Sequence, residues 1–576
     1  MIDARSAALS SYRTPGVRVE WLDAAEQQPT LVRTDVTGLV GVTERGPLHR
    51  PVLVESYEQF VGVFGGRQVQ AYLPYAVEGF FANGGRTGWV VRVADPARAR
   101  PAQVTLPAVA TGYRSLRLTA TSPGTWGNRV RVTRRPDPLA IGRFSLLLRQ
   151  GAVSEIWRDL TDDPADPRDA ARLLGSDASG SRLVVADWLP SGNDPEPESD
   201  DRQVLAGGDD GLETLTPRHF VGHQPPSDDP WGVAALAAID EVSLICVPDC
   251  WTPPRRIVTA PAPRPVRCAD LSVPLGPPET AEPSAGGPSG RAVFGPEAVA
   301  VLQQEVIDHC ESRGDRVALL DAPALPLPDV LSWRAASDRT RSGFDTSYAA
   351  LYYPWLQIVD PDSELARLRA VPPSGHIAGI CARVDRTTGV HKPPAGETVE
   401  LAVDTEIRLD DIGHGDLNDA GINAIRADRS VRVMGARTLS RLPGSSGRAP
   451  GLRYLNVRRL LLMIEESIDR ASRWTVFEPN GPRLWAEMDR LARGVLEQVW
   501  RAGMLNGATR SQAYSVTCDA SVNPVEQTLT GQLVCLVGVN PPVPAEFVVV
   551  RIVRSPTGLV PSGSSRAAGS SGASNG

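Results

Sequence analysis

The chain has 576 residues, 41% of them hydrophobic and 22% charged, with a formal net charge of −7. That length exceeds what one hydrophobic core usually holds, so three or four domains are expected, with the composition of a soluble globular protein. The acidic balance argues against a nucleic-acid binder held by phosphate contacts. No run approaches the ~20 apolar residues of a membrane span. The opening Met1-Ile2-Asp3-Ala4-Arg5 has no apolar core or cleavage site, so no secretory signal is expected. Seven scattered cysteines predict reduced thiols in a cytoplasmic product.

In chain order, residues 1–36 read as an extended arm. Val17, Val19 and Trp21 alternate with polar residues, as in an edge strand, and Leu31 and Val32 follow a polar span. Residues 37–103 form a first unit, with strands at Thr37–Val42 and Trp89–Val93, and helices opening at Ser56 and Leu73. Residues 104–215 read as a β-rich inserted module, with strands at Leu116–Ala120, Val130–Val132 and Phe144–Leu148. Residues 216–390 alternate helix and strand: Val233–Ile239, Val242–Pro248, Pro296–Arg313 and Val317–Asp321. That order implies a parallel sheet with helices on its faces. A Pro/Gly-rich insertion occupies residues 252–295.

Residues 391–540 form the next unit. Asn418 or Asp419 opens a short helix, and Val431–Leu439 is a strand and bend. A helix follows Tyr454, with Leu460, Ile464 and Ile468 on one face. A second begins at Pro482, with Leu484, Met488, Leu491, Val495 and Val499 inside and Gly503 at its C-cap. Gly531–Val539 is a strand. Residues 541–554 then pose a problem. Phe547, Val548, Val549, Val550, Ile552 and Val553 form an apolar, β-prone run behind Pro541-Pro542-Val543-Pro544, which cannot join a sheet interior. A bare strand of this kind must be paired, within its own domain or by a neighbouring chain. Residues 555–576 are Ser/Gly-rich and read as a disordered tail.

No catalytic constellation is visible. The only lysine, Lys392, follows no glycine loop, which excludes a P-loop, and neither HExxH nor GxSxG occurs. Gly62-Val63-Phe64-Gly65-Gly66 reads as a tight turn. Cys246 and Cys250, even with Cys268, supply too few ligands for a structural zinc. His414 has no nucleophile beside it in sequence, and Cys310 lies on an apolar helix stripe. No metal, cofactor or catalytic residue is assigned.

Several segments in fixed order carry a family resemblance: Gly421-Ile422-Asn423, Gly435-Ala436-Arg437-Thr438, Asn456-Val457-Arg458-Arg459, Trp474-Thr475-Val476-Phe477-Glu478-Pro479-Asn480, Leu505-Asn506-Gly507 and Pro544-Ala545-Glu546-Phe547. Thr14-Pro15-Gly16-Val17 and Gly38-Leu39-Val40-Gly41 add to it at the other end. The chain resembles contractile tail sheath proteins of phages and phage-like injection systems; it departs at Met434, where the pattern has a tryptophan.

The resemblance implies a mixed α/β, multidomain chain whose N- and C-terminal regions form an inner α+β domain, with a β-rich insertion, a parallel-sheet middle domain and terminal arms that exchange strands. It implies a non-enzymatic subunit that polymerises helically around an inner tube protein and contracts to drive that tube through an envelope. Baseplate and terminator or cap proteins would be further partners, with no nucleic acid and no membrane insertion. Alternatives are a baseplate or shell component, or a hydrolase on the parallel sheet. The intersubunit strands would be Val17 to Val32 and Phe547 to Val553. An arginine excess at Arg426, Arg429, Arg432, Arg453, Arg458, Arg459 and Arg473 makes Arg426, Arg429, Arg453, Arg458 and Arg459 candidate inner-tube contacts.

Overall fold

A computed structural model describes residues 30–107, 114–137, 140, 142–161, 163–175, 180–189, 202–222, 230–252, 291–337, 344–361, 367–440, 450–546, 552–555 and 558–561. The fold is mixed α/β and multidomain. It divides into a larger unit, centred on residues 33–463 with 504–506 and 540 onward, and a smaller one made largely of 464–503 and 507–539.

The larger unit is organised by one eight-stranded sheet. Its order is Val431–Val433, Ile422–Ala427, Ala349–Tyr353, Val317–Asp321, Leu244–Cys246, Thr37–Gly41, Gly88–Arg92 and Pro51–Val54. The inner strands run parallel, and an antiparallel strand closes each edge. Thr37–Gly41 and Val317–Asp321 are buried along their whole length, which is why both read as continuous apolar runs rather than alternating ones. The helices Leu73–Ala82 and Ser374–Thr387 pack closely against each other through small residues. A Cβ at Gly375 would come within 2.4 Å of the Ala76 carbonyl, and one at Gly379 within 2.3 Å of the Phe80 carbonyl.

This sheet redraws the expected boundaries. Strands from 37–103, from 216–390 and from the start of 391–540 share one sheet and one continuous core. The three N-terminal strands therefore form one end of this sheet and join the middle strands directly, because Thr37–Leu39 pair with Leu244–Cys246. A second correction concerns Leu417–Arg426. The helix there is Asp411–Asp419, so Asn418 and Asp419 end it rather than open one. Gly421 then turns at φ +72°, and Ile422–Ala427 joins the sheet beside Ala349–Tyr353.

The inserted region has its own core around Trp126, Leu118, Leu146, Leu148 and Val184. It combines the three-stranded sheet Gln103–Leu106, Leu116–Ala120 and Val184–Trp188 with the four-stranded sheet Arg202–Val204, Arg131–Pro136, Phe144–Gln150 and Val153–Leu160. Its entry and exit are paired: Arg100 N–H donates to the Asp209 carbonyl at 3.0 Å, and Asp209 N–H returns the bond at 2.9 Å.

In the smaller unit, helix Pro482–Arg501 buries Leu484, Met488, Val495, Leu496 and Val499. The two-stranded ribbon Tyr514–Thr517 and Leu536–Val539 belongs to the same unit. The strand expected over Gly531–Val539 is confined to its last four residues, because Val525–Leu529 is helical and Gly531 turns at φ +76°. Helix Leu455–Ser472 starts in the larger unit and ends in the smaller. No described helix is long and apolar enough to cross a membrane.

Candidate assembly interface

In a parallel sheet, ligands bind where the strand order reverses, at the carboxyl ends of the strands. Here that point lies between Thr37–Gly41 and Leu244–Cys246. It is filled by the chain itself. Asp249, fully buried, accepts hydrogen bonds from the backbone N–H groups of Val42 (2.8 Å), Tyr72 (2.7 Å) and Leu73 (3.1 Å), the last two at the start of helix Leu73–Ala82. Arg291 completes the pair, with Nη1 at 2.9 Å from Asp249 Oδ1. A carboxylate thus occupies the place where such folds hold a phosphate. Gly41 is required there, since a Cβ would meet Asp249 Oδ2 at 2.5 Å. One strand further on, Asp321 accepts from Ser374 N (2.8 Å) and Oγ (2.7 Å); burial pushes its carboxyl up to about 7 against those bonds. Cys246, Cys250 and Cys310 are buried in the same core.

The motif segments converge elsewhere, on residues 540–546. Asn423, buried on its strand, accepts from Arg437 N (2.7 Å) and donates to the carbonyls of Arg437 (2.8 Å) and Leu351 (3.2 Å). Gly435 lies so close that a Cβ would be 2.7 Å from Asn423 Oδ1. Asn423 therefore fixes the bend that presents Arg437. The Arg437 guanidinium is buried and donates to the Asn418 carbonyl (2.7 Å) and, through both Nε (2.7 Å) and Nη2, to the Glu546 carboxylate. That fork holds the Glu546 carboxyl below its usual range. Asn456 Nδ2 donates to the carbonyls of His391 (2.7 Å) and Pro542 (3.3 Å). Asn506 donates through N to the Asn540 carbonyl (2.8 Å) and through Nδ2 to the Pro541 carbonyl (3.3 Å).

All but one of the C-terminal motif segments thus pin the proline-rich stretch. The sequence shows only that this stretch cannot join a sheet interior; the structure docks it, because prolines leave their carbonyls available and the amide side chains of Asn456 and Asn506 reach them. The remaining segment lies in the smaller unit. Trp474 and Val476 are exposed there, and Phe477 is fully exposed at φ +72°. Asn480 accepts from Trp485 Nε1 (2.8 Å) and donates to the Gln532 carbonyl (2.8 Å).

The ribbon of the smaller unit is an open feature. Tyr514 and Val516 are buried, whereas Leu536 and Val537 are 55% and 37% exposed. Arg493 Nη2 donates to the Val516 carbonyl (2.6 Å), and Tyr514 OH to Glu497 (2.8 Å), so strand Tyr514–Thr517 is tied to helix Pro482–Arg501. Strand Leu536–Val539 has one sheet neighbour among the described residues. Two-stranded ribbons are marginal alone and are templates for further pairing.

The candidate intersubunit strands fare unequally. Val17, Val19, Trp21, Phe547, Val548, Val549 and Val550 lie outside the described residues. Leu31 is half-buried, and Val32 donates through N to Ser467 Oγ of its own chain (3.1 Å), so Val32 is held internally. Ile552–Ser555 pairs antiparallel with Gly558–Pro561. The tail expected to lack structure from Ser555 thus holds one strand of a hairpin, because Gly558-Leu559-Val560-Pro561 is a short apolar run within the Ser/Gly stretch.

Two candidate tube contacts are corrected. Arg459 is buried and forms a fork with buried Asp385 (3.0 and 2.5 Å), and also donates to the Thr34 carbonyl (2.9 Å). Burial opposes its charge, but Asp385 outweighs it and raises its pKa. Arg458 is buried too, its guanidinium 3.9 Å from the Tyr348 ring centre. Both are buried within the larger unit, where they are spent on contacts of the same chain, which an arginine count does not reveal. Arg426 is partly exposed and paired with Asp411 (2.7 Å), Arg453 is half-buried, and Arg429, Arg432 and Arg473 are exposed.

Comparison with known proteins gives consistent matches. Residues 293–439 match the phage tail sheath protein central domain, and residues 449–554 the phage tail sheath C-terminal domain. The tail sheath protein of Enterobacteria phage T4 is 24% identical over 282 residues, which is 46% of this chain and 40% of that protein. The chain thus aligns with less than half of that relative's length. Among solved structures, a chain of the sheath complex of the extracellular contractile injection system PVC, in its contracted state, is 18% identical with a TM-score of 0.50, covering 95% of this chain and 99% of that one. A sheath tail protein of Desulfitobacterium hafniense is 11% identical with a TM-score of 0.54, covering 88% and 94%.

Proposed function

We propose, for a chain that carries the central and C-terminal domains of phage tail sheath proteins, the role of a structural sheath subunit. It polymerises helically around an inner tube protein, as part of a phage tail or phage-like contractile particle assembled in the cytoplasm, and contracts to drive the tube through a target envelope. Baseplate and terminator or cap proteins are its partners at the two ends. Its action is mechanical: Asp249 and Arg291 fill the crevice where a parallel sheet of this kind would bind a ligand, which speaks against a hydrolase.

The observation that carries this reading is the docked root at Asn540–Glu546. Arg437, Asn456 and Asn506 hold it to the larger unit, so the apolar run beginning at Phe547 leaves from a fixed point. The natural acceptor is an open edge of a ribbon like Tyr514–Thr517 and Leu536–Val539 on a neighbouring copy. Each backbone hydrogen bond gained there contributes ~0.5–1.5 kcal/mol, added to apolar burial. A head-to-tail contact of this kind, not closed on itself, gives an open helix. Val17 to Leu31 would supply the second arm. Arg426, Arg429 and Arg453 remain candidate contacts with the inner tube.

The test is a chain ending after Glu546, compared with the full chain by negative-stain microscopy. The shortened chain should be soluble, with an unchanged thermal melt, and should form no sleeves. Sleeves of normal length would remove the donated strand. Discs or shells from the full chain would favour a baseplate or shell component instead.

A further inference from the structure

The seven cysteines look unrelated in sequence, yet two of them meet at the end of the ribbon. The register pairs Thr517 with Leu536, Val516 with Val537 and Ser515 with Gly538. The next opposed pair in that register is Cys518 and Cys535. Both are free, Cys518 buried and Cys535 half-buried, and the two thiols are near enough to influence each other's ionisation. Beyond them, Asn523 holds the strands together, donating to the Val534 carbonyl (2.9 Å) and accepting from Val534 N (2.7 Å). Directly opposed residues of antiparallel strands lie within the Cα separation that a disulfide spans.

We infer that Cys518 and Cys535 are a redox-responsive pair that closes into a disulfide across the end of the ribbon when a small disulfide such as oxidised glutathione is present. The Cys535 thiol loses its proton to solvent, and its sulfur attacks the small disulfide, releasing one glutathione and leaving a mixed disulfide. Cys518 then loses its proton and displaces the second glutathione. Two thiols are oxidised, one disulfide is reduced to two thiols, and the protons pass to the departing thiolates. The order follows from the environment. Burial and the neighbouring Cys535 push the Cys518 thiol up to about 12; burial raises the more exposed Cys535 thiol as well, but there Cys518 acts in the opposite sense, so Cys535 ionises the more readily of the two. The cross-link would staple a ribbon that is otherwise marginal alone.

The sequence supplies a direct readout. No lysine or arginine lies between Arg510 and Arg551, so trypsin leaves both cysteines on one peptide, and Glu526 lies between them. Purified full chain is incubated with oxidised glutathione, quenched with acid, alkylated in denaturant, then digested with trypsin and Glu-C. The inferred pair yields two fragments joined until reduction, with neither Cys518 nor Cys535 alkylated. Cys518→Ser should stop the reaction at glutathione on Cys535. Stable glutathione on Cys535 of the unaltered chain with Cys518 still alkylatable, or dimers joined through Cys535, would overturn the inference. The buried Cys246, Cys250, Cys310 and Cys381 serve as internal controls. The wild-type measurement stands even if Cys518→Ser does not fold, and it needs no polymer, so its outcome is separate from that of sleeve formation.

Discussion

Glu546 is the residue on which the arm's root turns. Its carboxylate meets a buried guanidinium whose other donor is spent on the Asn418 carbonyl, so removing the charge strands Arg437. Hydrogen bonds to charged groups contribute ~1.5–3 kcal/mol, and Glu546→Gln should weaken docking of residues 540–546 by about that much. The pH dependence has one sign. Arg437 holds the folded carboxyl below its ordinary value of 4.5, so the contribution is complete above that value and is lost as pH falls through the lower, folded value. Hydrogen exchange at Asn506, whose N–H donates to the Asn540 carbonyl of the docked stretch (2.8 Å), should therefore be flat from pH 8 to 5 after correction for intrinsic rates, and protection should drop below about 4.5. In Glu546→Gln the protection should be low throughout. Equal protection in both proteins would show that the prolines alone hold the root.

Among elements, the proposed linking of copies rests on the ribbon and on the docked stretch 540–546. Leu536 and Val537 are 55% and 37% exposed in the isolated chain, so Leu536→Lys with Val537→Lys removes little buried contact, and exposed substitutions usually change stability by less than ~0.5 kcal/mol. Lysine on an edge strand discourages further pairing. The double variant should melt like the parent yet fail to form sleeves at concentrations where the parent does. Normal sleeves from this variant would mean that the ribbon is not the acceptor. The buried pair Arg459–Asp385 argues the complementary point: it joins helix Leu455–Ser472 to helix Ser374–Thr387 and to Thr34, an internal fastening rather than an interface.

For the whole molecule, the inserted module stands apart by its core. Its apolar residues cluster around Trp126, separately from the main core, and its ends meet at the Arg100–Asp209 pair. Replacing residues 101–208 by a short Gly/Ser linker should leave the eight-stranded sheet folded, because closing a short loop between adjacent strands adds little entropy cost. Sleeves should still assemble, narrower in cross-section. A soluble, folded chain that never polymerises would place the module in the lattice.

What the sequence determined by itself was local or patterned. The buried strands Thr37–Gly41 and Val317–Asp321 announce themselves as apolar runs. Helix Pro296–Arg313 shows its stripe through Val299, Leu302, Val306 and Cys310, and Pro482 marks the start of a helix whose inner face was legible at Leu484, Met488, Val495 and Val499, whereas Leu491 is half-buried and Ala492 and Leu496 complete the face. The motif segments carried the resemblance to tail sheath proteins. Their purpose was decided only by tertiary structure, because Asn423, Arg437, Asn456, Asn506 and Glu546 act across distances in sequence that no local pattern encodes. The same holds for the single sheet that merges N-terminal, middle and C-terminal strands, for Asp249 filling the switch point, and for the meeting of Cys518 with Cys535. An arginine count could not separate a solvent-facing Arg429 from a buried Arg459, since charge is a property of the residue and burial is a property of everything packed around it.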